Sequence, residues 1–131
     1  MPLPVEDVIE IERLISRYNF AFDRRDAEGF AQCFTADGGF SLGDDEQTRG
    51  RDGLAAYVEA TTVSGQLRHV ITSVLADGEG NSATSQAYCT VFVSNPGGGY
   101  QVIAQGIYRD KLTKDADGWR FSRRRFDQDP A

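Results

Sequence analysis

Leu67-Arg68-His69-Val70-Ile71-Thr72-Ser73-Val74-Leu75-Ala76-Asp77-Gly78-Glu79-Gly80-Asn81 is the stretch on which the fold turns. Its apolar residues follow a period of two and end in a Gly/Asn-rich turn, the pattern of a strand entering a hairpin. Two more turn clusters, Asn95-Pro96-Gly97-Gly98-Gly99 and Asp115-Ala116-Asp117-Gly118, divide the rest into four strands at about 68–76, 82–94, 100–113 and 119–126. Connections this short make neighbouring strands antiparallel.

Upstream of Leu67 the period is helical. Val8, Ile11, Ile15, Tyr18 and Phe22 step by 3, 4, 3 and 4 and form one stripe on a helix from about Val5 to Arg24. Asp26 reads as the cap of a short second helix carrying Phe30, Cys33 and Phe34, stopped at Ala36-Asp37-Gly38-Gly39. Phe40 to Leu42 is a candidate short strand, and a third helix spans about Arg51 to Thr61 with Leu54, Tyr57 and Val58 on one side. Helices followed by a meander give the α+β class: N-terminal helices in the concave face of a strongly curved, mainly antiparallel sheet, as one domain over residues 1–131. Pro2, Pro4 and Asp127-Gln128-Asp129-Pro130-Ala131 read as frayed ends.

Alternation assigns faces, subject to any bulge that inverts everything beyond it. His69, Ile71, Ser73 and Leu75 share one face of the first long strand. Thr84, Gln86, Tyr88, Thr90 and Phe92 share one face of the next, opposite Ala83, Ala87, Cys89, Val91 and Val93. Both faces are largely apolar, which suggests a pocket on one side and a partner subunit on the other.

Composition excludes several classes of function. The 131 residues carry 14 Lys plus Arg against 20 Asp plus Glu, a net charge of -6, the wrong sign for binding a phosphate backbone. One histidine and two cysteines cannot build a Cys/His zinc cage or a two-histidine iron site; an all-carboxylate metal site is left open without a motif to support it, and the expectation is no cofactor. No run approaches the roughly 18 apolar residues of a spanning helix, and no secretory h-region follows Met1. Cys33 and Cys89, far apart and without a C-x-x-C, read as packing thiols in a reduced, cytoplasmic protein.

His69 is the residue type best suited to proton transfer near neutrality, though a satisfied core imidazole would look the same in sequence. Asp23 stands near the C-terminal end of the first helix, where the helix dipole disfavours an acid. It is either the partner of His69 or an ion-pair partner of Arg24 or Arg25. Tyr18 and Asp23 lie five positions apart, about 140° round a helix, so spacing alone does not put them on one face. Among Arg120, Arg123, Arg124 and Arg125, Arg123 is the candidate for a pocket residue that binds a carboxylate or enolate oxygen. Aromatic candidates for the pocket wall are Phe22, Phe34, Tyr57, Tyr88, Phe92 and Tyr108.

Taken in order, Tyr18, Phe22, Asp23 and Asp26, then Phe34-Thr35-Ala36-Asp37-Gly38, Gly50-Arg51-Asp52-Gly53-Leu54, His69 and Asp117-Gly118-Trp119-Arg120-Phe121 resemble the SnoaL-like branch of the nuclear transport factor 2-like superfamily. That group includes scytalone dehydratase, bile acid 7α-dehydratase, lindane dehydrochlorinase, ketosteroid isomerase and polyketide cyclases. The resemblance implies a cone-shaped α+β barrel enclosing an apolar pocket, commonly in a homodimer or homotrimer through the sheet. It implies catalysis by Asp23 and His69, with Tyr18 polarising a carbonyl or assisting a leaving group. The implied activity is a cofactor-independent lyase or isomerase acting on a small apolar steroid, polyketide or terpenoid; the alternative is a non-catalytic ligand-binding or protein-interaction module. The chain lacks the second histidine of scytalone dehydratase, and Ala87, Tyr88 and Cys89 stand where the bile acid enzyme has an acid.

Overall fold

In the computed structural model, which describes residues 2–130, three helices precede most of a six-stranded sheet. The elements are α1 (Val5–Asp23), α2 (Ala27–Gln32), β1 (Phe34–Leu42), β2 (Thr48–Arg49), α3 (Arg51–Ala60), β3 (Leu67–Glu79), β4 (Ser82–Ser94), β5 (Tyr100–Asp115) and β6 (Gly118–Gln128). The sheet order is β2-β1-β6-β5-β4-β3, antiparallel throughout except for the β1–β6 pair. It is not closed, and β3 is a free edge. α1 packs on both β3 and β6, strands separated in the sheet by β4 and β5, so the sheet curls round the helix.

The helical stripe buries Ile11, Leu14, Ile15, Tyr18, Ala21 and Phe22. At its start the buried residue is Asp7 rather than Val8. Its Oδ1 accepts from Trp119 Nε1 at 3.0 Å and Lys114 Nζ at 2.9 Å, pinning the helix start to the last hairpin. Asp26 caps α2 by accepting from the Gly29 backbone N–H at 2.9 Å.

Local sequence misleads in three places. Ala36-Asp37-Gly38-Gly39 is the interior of β1, where the pairing with β6 shifts register between Phe34 and Gly39. These glycines serve close approach: a Cβ on Gly38 would lie 2.9 Å from the Phe121 carbonyl oxygen. Asp127 and Gln128 belong to β6 rather than to a frayed end, while Ala131 lies outside the described residues. The two-residue β2 has no periodicity to show, and the parallel β1–β6 pair joins elements too distant for hairpin signals.

Bulges in β3 and β6 reset the faces there. Ser73, at φ 57°, breaks the β3–β4 register between Thr72 and Leu75. Leu67, His69 and Ile71 therefore turn inward, but so do Val74 and Ala76, while Leu75 is 55% exposed. On β6 the register slips between Phe121 and Arg123, so Trp119 and Phe121 are buried together with Arg124 and Phe126. Arg123, on the other parity, faces a groove on the outer surface with Leu75, Thr84 and Lys111.

Lys114 and Trp119 hold the Asp7 carboxyl below its ordinary range. A depressed carboxylate pKa adds stability that is present above the unfolded-state value near 4 and lost as pH falls through the folded one. Asp7→Asn should therefore lower the melting temperature at pH 7, with the gap to wild type closing toward pH 3 in thermal melts.

Candidate active site

α1 ends at Asp23, where it meets the free edge of β3. The Asp23 carboxylate takes two donors from one residue: Oδ2 accepts the His69 backbone N–H at 3.0 Å, and Oδ1 lies 2.5 Å from His69 Nδ1. An edge strand carries N–H groups with no strand to receive them, and here one is taken by the helix-end carboxylate. Those two donors answer the unfavourable helix-end position. Gln66 Nε2 adds a contact to the Asp23 carbonyl oxygen at 3.3 Å, and the Arg25 guanidinium donates to the Thr61 carbonyl. The loop around the helix end is thereby tied to α3 and β3.

Both side chains are nearly enclosed, with His69 8% and Asp23 9% accessible. A carboxylate oxygen accepts from Nδ1–H in this contact, which leaves Nε2 as the ring nitrogen outside it. The ring forms part of the wall of a cavity of about 660 Å³. Phe22 meets it edge-on at 5.0 Å between centroids. Tyr18, Tyr57, Val91, Tyr108 and Phe126 supply further wall, and Asp44, Arg125 and Asp127 stand among the polar lining residues. Arg125 is already engaged, its Nε 2.7 Å from Asp127 Oδ1 and its Nη2 3.1 Å from Asp44 Oδ1.

Of α1, Tyr18 and Phe22 line the cavity; Asp23, on another side of the helix, is joined to it only through His69, which reaches back from β3. Burial pushes the Tyr18 phenol up; the Arg124 guanidinium and a hydrogen bond with Tyr108 pull the other way. The phenol is therefore protonated at neutral pH and able to donate. Burial also pushes both thiols up to about 11, which leaves Cys33 and Cys89 as protonated packing groups.

Phe22, Tyr57 and Tyr108 line the cavity. Phe34 is buried one layer away, packed on Tyr18, Phe30 and Phe121. Tyr88 and Phe92 are corrections. Tyr88 is 57% exposed on the outer face, and Phe92 joins Arg68, Val70 and Tyr100 there, because the inward parity of β4 belongs to Ala83, Ala87, Cys89, Val91 and Val93. Arg123 is a correction of the same kind: the β6 bulge turns it out and buries Arg124 in its place. Sequence reasoning also missed Phe40, Val91 and Phe126 as cavity walls, and Asp110 as the buried counter-charge of Arg124. The apolar parity of β4 was the available signal for Val91. Among the described residues no three His, Cys, Asp or Glu side chains are placed to hold a metal ion. No described helix is long and apolar enough to cross a membrane.

A second groove, about 740 Å³, lies outside α1 beside Arg13, Arg17, Phe20 and Arg24. It contains neither member of the Asp23–His69 pair, so the inner cavity is the candidate site.

The SnoaL-like domain family matches residues 4–125. The chain belongs to this family. Its fold is the cystatin-like fold of nuclear transport factor 2-like proteins, as in one from Novosphingobium aromaticivorans at 26% identity and TM-score 0.88, covering 95% of this chain and 82% of that one. A variant of Rv3472 from Mycobacterium tuberculosis, a protein of unknown function, is 32% identical with TM-score 0.91, over 98% of this chain and 79% of that one. ActVI-ORFA from Streptomyces coelicolor shares the fold at 23% identity and TM-score 0.84, over 93% and 96% of the two chains. No curated protein matches the chain in sequence.

Since His69 is the sole histidine, the nitrogen spectrum of the protein contains a single imidazole. Wild type should show the Nδ1–H tautomer. Asp23→Ala should shift it toward Nε2–H and lower stability by about 1–3 kcal/mol, because a largely buried backbone N–H loses its acceptor.

Proposed function

We propose that this SnoaL-like protein is a cofactor-independent lyase or isomerase that removes a proton beside an electron-withdrawing group in a small apolar molecule. The observation that carries the reading is the 2.5 Å Asp23–His69 contact, with the imidazole set in the wall of an apolar cavity. Asp23 holds Nδ1–H and faces the imidazolium once it forms. The free Nε2 is the base.

In the proposed step a substrate C–H bond breaks, the proton passes to Nε2, and the electron pair moves onto a conjugated carbonyl oxygen. Tyr18, kept protonated by burial, donates to that oxygen. Return of the proton to another carbon completes an isomerisation; loss of a β-leaving group, with the proton delivered to it, completes an elimination. Neither outcome needs an oxidant or reductant. The cavity of about 660 Å³ suits a compact steroid, polyketide or terpenoid fragment. Walls that are mostly aromatic and aliphatic favour such a molecule over a sugar or nucleotide.

We further propose that the protein is cytoplasmic and assembles as a homodimer or homotrimer through the outer sheet face, where Val70, Leu75, Tyr88, Tyr100 and Val102 are exposed. Light scattering should give a mass of two or three chains, and Tyr88→Glu should shift it toward one; a wild-type monomer at micromolar concentration contradicts the assembly.

The cavity ligand can be sought by native mass spectrometry of protein from its natural host. On the compound so found, His69→Ala should lose at least about 10²-fold in kcat and Tyr18→Phe about 10–10²-fold, with binding retained. Retained turnover in His69→Ala removes His69 as the base. Binding without turnover in wild type supports a ligand carrier instead.

A further inference from the structure

Arg124 is the most deeply buried charge among the described residues, at 0% exposure, and it is not part of the lining of the cavity that holds His69. Its Nε pairs with Asp110 Oδ1 at 3.0 Å, and Asp110 Oδ2 accepts from Ser85 Oγ at 2.9 Å. The Nε–Oδ1 contact lies off the hydrogen-bonding direction, and neither Nη1 nor Nη2 has an acceptor among the described residues. A buried ion pair that only braces the core is normally hydrogen-bonded on all sides, because an unanswered buried donor costs about 1–3 kcal/mol. Around this guanidinium stand π faces instead. Its central carbon lies 3.5 Å from the Tyr108 ring centroid, 4.3 Å from Tyr18 and 4.6 Å from Phe121. Two of those three rings line the cavity that His69 also lines.

We propose that Arg124 is a polarising residue: stacked behind Tyr18 and Tyr108, its guanidinium makes their hydrogen-bonded hydroxyls a donor chain, Tyr108 to Tyr18 and Tyr18 to a carbonyl oxygen that gains negative charge beside His69. Tyr108 thereby enters the site as a second phenol. The substrate class follows, since the cation never reaches the cavity and Arg125 is committed to Asp44 and Asp127. The site serves a ketone or other neutral carbonyl compound, with no free guanidinium for a substrate carboxylate. This use of the cavity rests on the proton-abstraction reading; the polarisation itself does not.

The electrostatics agree in direction. Arg124 acts to lower both phenols against the upward push of burial. The other groups bearing on them are Asp110 from β5, Tyr57 from α3 and Cys89 from β4, with His69 across the cavity.

The test places 3,5-difluorotyrosine, whose phenol is far more acidic than tyrosine's, at position 18 and follows its ionisation by fluorine NMR in the ligand-free protein. Asp110→Asn, which keeps the guanidinium, is compared with Arg124→Met/Asp110→Asn, which removes it without leaving a lone buried charge. The double variant should ionise at a pH higher by about one unit or more, a tenfold change in acidity. Equal midpoints in two folded variants, checked by circular dichroism, overturn the proposal, as does a lower midpoint in the double variant, the direction expected if it had merely loosened the core. Should the double variant not fold, Arg124→Lys/Asp110→Asn keeps a cation but loses the flat stacking. It should shift upward by a smaller amount, and no shift overturns the proposal. Because no substrate is involved, this outcome is independent of whether His69 acts as a base.

Discussion

One carboxylate joins the two halves of this molecule. Asp23 closes α1 and receives both the backbone N–H and the ring Nδ1 of His69, so the end of the central helix is fixed to the free edge of the sheet it fills. An acid at a helix C-terminus is mildly unfavourable, by about 0.3–1 kcal/mol, and two donors outweigh that. The same contact sets the imidazole's orientation and tautomer. A structural joint and the proposed catalytic pair are therefore one feature, and loss of Asp23 acts on stability and chemistry together.

Much of this was legible in the residues. The 3–4 stripe of α1, the Asp26 cap and the three turn clusters specify helices followed by an antiparallel meander, since each is a local pattern with its own physical cause. Asp23 stood out as an acid where the dipole disfavours one, and His69 as the sole imidazole on an apolar parity. What was not legible turns on single residues. Ser73 and Ser122 each interrupt a period of two, and nothing in a serine announces a bulge. Beyond Ser122 parity reverses, which is why Arg124 rather than Arg123 is inside. Tyr88 and Phe92 were misplaced for another reason: both parities of β4 are apolar, so large aromatics suggested the pocket, while the buried parity is that of Ala87, Cys89 and Val91, of which Val91 lines the cavity. The β1–β6 pair was hidden because parallel partners far apart in sequence leave no turn signature.

Two polar pairs of the site are unequal in kind. Asp23 and His69 form a connected pair on one side of the cavity. Tyr18 and Tyr108 form another, backed by a guanidinium that is itself sealed from the cavity and balanced by Asp110. The proposed base on one wall and the proposed phenol donor on another suit chemistry in which a proton leaves carbon while charge builds on oxygen. Members of one fold differ in chemistry through such local groups, so family membership sets the frame and these side chains set the reading.

In the proposed step His69 takes a proton from carbon without a cofactor. That step is most directly tested by incubating a panel of small cyclic ketones with the purified protein in D₂O and following exchange at the α-carbon by proton NMR. The account predicts deuterium incorporation into at least one neutral ketone by wild type, falling by about 10²-fold or more in His69→Ala. Exchange that proceeds equally in His69→Ala, or that is absent for a ketone shown to occupy the cavity, would contradict it.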